Sequence, residues 1–301
     1  MTNISERSVD LSNARARLGR VGAWLGVLGS FTAERERDAV AHVERLGYST
    51  LWVTESSKEA FAHASLALAA SSTLTVATGI ANVWAREPET AVSGANTLAE
   101  AYDGRFVLGL GIGHAKFVER YNKPLQTMRS YLDRMHETVV SAPVAVDPVP
   151  WLIAALGPKM LELAGARAEG SHPYFVPVEH TARARETLGS APLLAPEVAV
   201  VLDATPSSAR ATARRYMELY LQLPNYTNNL RTLGFTDDDL GDGGSDRLVD
   251  AVIPWGSVDQ ISARIAEHFE AGADHVCIQP LDYTENAGLD ALAELAPALM
   301  P

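Results

Sequence analysis

The stretch VGAWLGVL at residues 21–28, followed by FTAERERDAVAHVERLG at residues 31–47, sets the architecture of the chain. Its first part is a short apolar run, which predicts a buried β-strand over Val21–Leu28. Thr32 then supplies an N-cap oxygen and Gly47 ends the pattern, as is typical of an amphipathic helix. The apolar positions between them recur at helical spacing, at Val40, Val43 and Leu46. The stretch therefore predicts one strand-then-helix unit.

The same unit recurs along the chain, because seven further short apolar runs alternate with helical patterns. These runs are Thr50–Thr54, Leu74–Thr78, Phe106–Leu110, Trp151–Ala155, Pro173–Val176, Val198–Leu202 and His275–Ile278, each but the last followed by a helical pattern. Eight such strands in a chain of 301 residues predict one α/β domain, residues 1–301, folded as a (β/α)8 TIM barrel.

An open, doubly wound sheet is the competing architecture. It is disfavoured because no G-x-G-x-x-G sequence opens an early helix, and the first strand offers only the sequence GVLG at residues 26–29. The polar segment Leu223–Arg247 does not fit a minimal barrel. We interpret it as an insertion at the catalytic end, between the seventh helix and the eighth strand, with a solvated linker as the alternative.

The composition is that of a folded globular protein, with 47% apolar and 21% charged residues. A formal net charge of −12 argues against binding to nucleic acids or anionic membranes, because both attract basic surfaces. Cys277 is the only cysteine, which excludes an intrachain disulfide and predicts a buried structural thiol. No apolar run reaches the roughly 18 residues of a membrane span, so we expect a cytoplasmic protein.

In a barrel of this type the chemistry lies at the carboxyl ends of the strands. Glu55 follows the second strand and could orient a bound ring or exchange a proton with it; capping the next helix is the alternative. Gly79 ends the third strand and indicates either a bulge beside a ligand or a plain turn. Gly111 and Gly113 expose backbone that suits a flat ring or a phosphate. The adjacent His114 is a candidate proton donor, or a structural histidine.

The end of the fifth strand, with the sequence AALGPKM at residues 154–160, indicates a phosphate site. Proline at the first helical position lacks only an N–H that would be unpaired anyway, and the free N–H groups of that turn attract anions. Lys159 adds a positive charge, unless it points to solvent. A purely structural helix start is the alternative reading of the same sequence.

Taken together, these strand ends resemble a known family. The matching stretches are LGYSTLWV (46–53) with Glu55, ATGI (77–80), GRFVLGLG (104–111), IAALGPKM (153–160) and AGADHV (271–276). Their order and spacing are similar to those of the luciferase-like monooxygenase superfamily, and in particular of its branch that depends on coenzyme F420. The resemblance spans residues 18–298.

The resemblance implies a bound F420, with FMN as the alternative, and no metal. It also implies a non-proline cis peptide between Gly79 and Ile80, on a bulge that supports the back of the deazaflavin ring. The predicted cofactor-binding residues are Gly79, Ile80, Asn82, Gly111, Gly113, Ala154, Ala155, Gly157 and Lys159. The implied reaction is hydride transfer between F420 and a small organic substrate, with Glu55 and His114 as the predicted catalytic residues.

Further residues are assigned to the substrate side of the predicted site. Asn82 and Trp84 would shape it, and Trp24 and Gln279 would line it. Two positions depart from the family pattern: Ser56 stands where some relatives have a catalytic histidine, and Glu87 stands where many have histidine.

Three other functions stay open at this point. They are a reduced-FMN monooxygenase, a non-catalytic deazaflavin-binding barrel and, more remotely, a phosphate-sugar isomerase on an unrelated barrel. Relatives commonly form homodimers, and the alanine-rich helices predicted over Ala62–Ala70 and Ala91–Ala101 would permit close packing of two copies.

Overall fold

The computed structural model describes residues 2–3 and 8–300 and shows an α/β architecture built on one curled parallel sheet. Its principal strands, the first to the eighth in chain order, are Val21–Trp24, Thr50–Val53, Thr75–Thr78, Phe106–Gly111, Trp151–Ile153, Gly170–Ser171, the two segments Leu193–Leu194 and Glu197–Val200, and Val276–Pro280. Each pairs in parallel with the next. Ala81–Asn82 also pairs with the fourth strand, and Thr2–Asn3 pairs antiparallel with Val139–Val140.

The sheet curls round until its two ends meet in the seventh strand. The eighth strand pairs with the first. One edge of the sheet is the segment Leu193–Leu194 and the other is Glu197–Val200, and these two segments of the seventh strand lie on either side of Pro196 in the chain. The N–H of Ala195 donates to Ser171 O at 2.9 Å, and the N–H of Cys277 donates to Pro196 O at 2.9 Å. The seventh strand therefore joins the sixth to the eighth, as the predicted barrel requires.

A ring of helices covers the outside of the sheet. In the described part of the chain these helices are Ala33–Arg45, Ala60–Ala69, Pro88–Ala101, Pro124–Glu137, Pro158–Arg167, Val178–Leu188, Val258–Glu270 and Leu289–Leu299. Each contacts the next, and the last contacts the first. The helix predicted after Thr32 is confirmed, because the Thr32 side chain accepts from the N–H of Arg35 and Gly47 has φ +88°. The helix after the eighth strand was not predicted; Pro297 lies within it.

The interior of the ring is packed with side chains at its amino end. Trp52, Leu152 and Cys277 are fully buried there, which confirms the buried thiol. The helix Leu11–Leu18 lies across this end, where Leu18 O accepts from Thr50 Oγ1 at 2.7 Å. The amino end is thus filled, and open space remains at the carboxyl ends of the strands.

A second group of helices follows the seventh strand. They are Pro206–Tyr220, Pro224–Thr232, Asp237–Leu240 and Asp246–Val252, which we call the cap helices. Their buried side chains, which include Met217, Leu230 and Val249, form one hydrophobic cluster with Phe175 and with Ala199 of the seventh strand. The ring position predicted for the helix after the seventh strand is taken by Val258–Glu270. The boundaries Leu223–Arg247 are therefore not confirmed, because the buried residues of Pro206–Tyr220 pack in the same cluster as those of the later cap helices.

Several strand limits also differ from the prediction. The first strand stops at Trp24, and residues Gly26–Ser30 form a 3-10 turn. The sixth strand is Gly170–Ser171 rather than Pro173–Val176, because Phe175 has φ +58° and cannot continue a strand. None of the helices that the structure describes is long and apolar enough to span a bilayer.

Candidate active site

A cavity of about 450 Å³ opens at the carboxyl ends of the strands; we call it the inner cavity. It is lined by residues from the strand ends, from the loop after the fourth strand and from the cap helices. These include Trp24, Glu55, Gly79, Ile80, Gly111, Gly113, His114, Ala154, Ala155, His172, Tyr174, Tyr220, Leu223, Tyr226 and Gln279. This is the end of the barrel at which chemistry was predicted.

The bulge after the third strand forms one side of the inner cavity. The peptide bond between Gly79 and Ile80 is cis, as the resemblance implied. A Cβ on Gly79 would lie 2.1 Å from the ring of Trp24, and a Cβ on Gly111 would lie 2.4 Å from the side chain of Ile80. Both glycines are therefore required by close packing at the bulge, and Ile80 presents its side chain at the cavity.

Glu55 lines the inner cavity but is fully engaged by protein groups. Its carboxylate forms an ion pair with Arg86, and Oε2 accepts from the N–H of Asn82 at 2.7 Å and from Arg86 Nη1 at 3.0 Å. The Arg86 side chain is 7% exposed and that of Glu55 is 14% exposed. The pair therefore ties the end of the second strand to the bulge of the third.

His114 lies on the opposite side, between the loop after the fourth strand and the cap. Its Nδ1 lies 3.0 Å from Asn225 Oδ1, and its ring centroid is 5.3 Å from that of Tyr226. An amide oxygen only accepts hydrogen bonds, so Nδ1 carries the proton and Nε2 keeps its lone pair. Burial lowers the pKa of His114 below its usual 6.5, so the ring is neutral at pH 7 and Nε2 can accept a proton.

A second cavity of about 680 Å³ adjoins the first; we call it the outer cavity. The two share Gly113, Ala154 and Asn225 in their lining, and the outer cavity continues to Gly157, at the start of the helix Pro158–Arg167. The two cavities thus form one elongated space, which runs from the strand ends to the start of the helix Pro158–Arg167.

Two buried polar atoms of residues that line the outer cavity lack a hydrogen-bond partner among the described residues. They are Asn229 Nδ2 and His180 Nδ1. His180 Nε2 bonds to Leu156 O at 2.9 Å, so Nε2 carries the proton and Nδ1 is an acceptor. A buried polar group without a partner costs about 1–3 kcal/mol. A polar ligand that bonded to Asn229 Nδ2, a donor, or to His180 Nδ1, an acceptor, would remove this cost.

The sequence model of one family matches residues 16–275, which is most of the chain; the family is described as luciferase-like monooxygenase. The chain belongs to the luciferase-like monooxygenase family. This confirms the family resemblance found in the strand-end motifs.

Individual proteins are similar over part of the chain. The 5,10-methylenetetrahydromethanopterin reductase of Methanolobus tindarius is 26% identical over 186 residues, covering 51% of this chain and 57% of that protein. The chain thus spans about half the length of the relatives it matches.

Solved structures of two oxidoreductases share the fold. An F420-dependent secondary alcohol dehydrogenase in complex with an F420–acetone adduct superposes with a TM-score of 0.74 at 15% identity, over 94% of this chain and 99% of that one. The oxygenating constituent of 3,6-diketocamphane monooxygenase from Pseudomonas putida, in complex with FMN, has a TM-score of 0.69 at 16% identity, over 93% and 98%. At these identities the likeness establishes the fold alone.

The fold places the predicted site residues of this luciferase-like chain in three groups. The inner cavity is lined by Glu55, Gly79, Ile80, Gly111, Gly113, His114, Ala154 and Ala155, together with Trp24 and Gln279. Gly157 lines only the outer cavity. Asn82 and Lys159 line neither: Asn82 Oδ1 accepts from the N–H of Trp84, and Lys159 is exposed. Trp84 borders a separate surface depression. The roles of all these residues stay predictions.

Some lining residues were missed by the sequence reasoning. His172 and Tyr174 come just after the sixth strand, whose position was predicted too far along the chain. Tyr226 lies in the segment Leu223–Arg247, which was interpreted as an insertion, and Tyr220 lies in the helical pattern that precedes it. The tyrosines at 216, 220 and 226 are the signal that was available, since two of them are four residues apart on one helix.

A buried carboxyl group on the seventh strand makes the stability of the fold depend on pH. Glu197 Oε2 accepts from the N–H of Phe175 at 3.1 Å, while Oε1 is buried without a partner in the described chain. Burial raises the pKa of Glu197 from 4.5 to about 8. Above pH 4.5 the unfolded chain releases this proton and the folded chain keeps it, so stability falls as the pH rises from 4.5 towards 8.

We therefore expect Glu197→Gln to flatten the pH dependence. Between pH 6 and pH 8 the natural chain should lose about 2 kcal/mol more free energy of unfolding than the variant. Urea unfolding at the two pH values measures this difference. A constant difference between the two proteins at both pH values does not bear on the prediction, because the amide of the variant has different hydrogen-bonding needs. Equal slopes with pH in the two proteins would contradict it.

Proposed function

We propose that this protein is an oxidoreductase that binds coenzyme F420 and transfers a hydride between it and a small organic substrate. The observation that carries the proposal is the elongated space formed by the two cavities. Its inner part has a non-polar side formed by Ile80, Gly111 and Ala154. Its outer part has, beside a helix start, buried polar atoms that have no hydrogen-bond partner among residues 2–3 and 8–300. A flat ring with a polar, phosphorylated side chain matches both parts.

The residues present fit such a cofactor. The ring would lie against Ile80 and Gly111, and the ribityl hydroxyls would pass the backbone between Ala154 and Gly157. The phosphate would accept hydrogen bonds from the first N–H groups of the helix Pro158–Arg167 and from Asn229 Nδ2, for which the described part of the chain offers no partner. When bound and reduced, a deazaflavin supplies a hydride from C5.

The protein groups near the ring have separate tasks in this proposal. The Glu55–Arg86 ion pair holds the bulge in place, so Glu55 acts as a positioning residue. His114 Nε2 accepts a proton from an alcohol that is being oxidised and returns it in the reverse direction. A single cytoplasmic barrel domain that forms homodimers remains our expectation for the assembled enzyme.

The cofactor is tested by fluorescence titration of the purified protein with F420. We expect saturable quenching with F420. The variant Asn229→Leu should weaken F420 binding about 10-fold, because it removes a hydrogen bond to a charged group.

The matched measurement uses the same deazaflavin without its phosphate. Its affinity should be equal in the natural chain and in Asn229→Leu, because Asn229 then has no anion to bind. Tight binding of FMN together with no binding of F420 would refute the proposal.

A reduced-FMN monooxygenase is the second candidate, favoured by the shared fold with an FMN-bound oxygenase. The two functions differ in a direct observable. A monooxygenase consumes oxygen when it is supplied with reduced FMN, whereas the F420-dependent reaction proceeds at the same rate without oxygen.

A further inference from the structure

One part of the lining of the inner cavity has a distinct chemistry. It is formed by Tyr174 after the sixth strand and by Tyr220, Leu223 and Tyr226 of the cap. The ring centroids of Tyr174 and Tyr220 are 5.4 Å apart, and those of Tyr220 and Tyr226 are also 5.4 Å apart. We call this surface the tyrosine wall. It presents an aromatic and aliphatic surface, which suits the apolar part of a ligand.

The inner cavity offers no free charge to a ligand. Across residues 8–300 no lysine or arginine lines it, and its one carboxylate, Glu55, is paired with Arg86. His114 and His172 are both neutral at pH 7, because burial lowers their pKa values, that of His172 to about 3. An anionic substrate would lose its hydration here without gaining a cationic partner, which is strongly unfavourable.

A network of hydroxyl groups orients one polar side chain at the tyrosine wall. Tyr174 donates its single proton to Gln279 Oε1 at 2.8 Å. Its oxygen therefore accepts from Tyr216, at 2.8 Å, and from Tyr220, at 2.9 Å. Because Oε1 of Gln279 is held by Tyr174, the amide nitrogen is turned away from it.

The amide nitrogen of Gln279 is left as an available donor. Gln279 lines the inner cavity, and its Nε2 has no hydrogen-bond partner in the part of the chain that the structure describes. An amide N–H that faces a cavity lined by aromatic rings is suited to an uncharged oxygen acceptor such as a carbonyl or hydroxyl group.

From these contacts we propose that the substrate is an uncharged ketone or the corresponding secondary alcohol, with an apolar body packed on the tyrosine wall and its oxygen bound by Gln279 Nε2. The inference rests on the proposed function, since it assigns the bulge side of the cavity to the cofactor ring and the tyrosine wall to the substrate. Gln279 is then a specificity-determining residue, and carboxylate-bearing or phosphorylated substrates are excluded.

The test compares two ketones that differ only in charge, 4-methylacetophenone and 4-acetylbenzoate. Saturation-transfer NMR measures their binding to the protein, first without cofactor and then with F420. We expect the neutral ketone to bind at least 10-fold more tightly than the carboxylate in both series. Comparable affinity for 4-acetylbenzoate would overturn the inference.

Three variants test the residues that carry the argument. Gln279→Leu should weaken binding of 4-methylacetophenone about 5- to 10-fold, the usual effect of one lost hydrogen bond. Gln222→Leu makes the same change where the side chain bonds to Lys116 outside the cavity, and should have no effect. Leu219→Arg adds a cation at a lining position that is 43% exposed, and should improve binding of 4-acetylbenzoate.

The two proposals can fail separately. An unchanged dissociation constant for 4-methylacetophenone in Gln279→Leu refutes the substrate assignment and leaves F420 quenching as it was. Absence of F420 quenching refutes the proposed function, while the selectivity between the two ketones in the cofactor-free protein still decides whether the tyrosine wall binds uncharged substrates.

Discussion

Replacing Arg86 by Met is expected to lower the free energy of unfolding by roughly 3–5 kcal/mol, the usual result of removing one partner from a buried ion pair. The Glu55 carboxylate is 14% exposed and would keep only backbone N–H groups, of Asn82 and Ala60, as partners. Glu59 also contacts Arg86, but it is 52% exposed and can turn into water. Urea unfolding at pH 7 measures the loss.

The matched control is Arg134→Met. Arg134 also bridges two carboxylates, those of Glu87 and Glu89, but its side chain is 50% exposed. Exposed ion pairs contribute little to stability, so the free energy of unfolding of this variant should stay close to that of the natural chain. Adding Glu55→Gln to Arg86→Met should recover part of the loss, because no unpaired charge then remains. Equal losses of free energy of unfolding in the two arginine variants would show that burial does not determine how much the Glu55–Arg86 pair contributes to stability.

Replacing His114 by Gln is expected to lower kcat by about 100-fold or more, the range in which loss of a proton-transferring group falls. The dissociation constant for F420 should change little, since the proposed cofactor contacts lie elsewhere. In the direction of alcohol oxidation the natural enzyme should gain rate as the pH rises through the lowered pKa of His114, below 6.5, and then level off. The variant should lack this rise.

His136→Gln is the control for this variant. His136 is half-buried on the outer side of the barrel, where Nε2 bonds to Arg167 O at 3.0 Å. The same substitution there removes a histidine without touching either cavity. A His114 variant that retains both the rate and the pH profile of the natural chain would remove His114 from the mechanism.

The repeated unit and the strand-end glycines could be read from the sequence because both are local signals. Apolar runs of four to eight residues predicted seven of the eight strands at overlapping positions. The glycine at position 79 was recognised as a bulge candidate from its place in a strand pattern, and the cis bond after it came from the family resemblance.

The rest depended on tertiary packing, which a single sequence does not display. The sixth strand was misplaced because the apolar residues after it, Tyr174 and Phe175, face the cavity and the cap cluster instead of continuing the strand. Pro206–Tyr220 has the pattern of an ordinary ring helix, and only the packing of Met217 on the cap distinguishes it. The ion pair of Glu55 joins it to Arg86, 31 positions along the chain. The sequence alone therefore did not show that the Glu55 carboxylate is already paired with an arginine.

The helix Leu11–Leu18 fills the amino end of the barrel, so ligands cannot enter from that end. With that end packed, the open space of the barrel lies at the carboxyl ends of the strands, where both cavities are found. Under the proposed function, the cofactor and the substrate therefore enter and leave the molecule at the same end, past the strand ends.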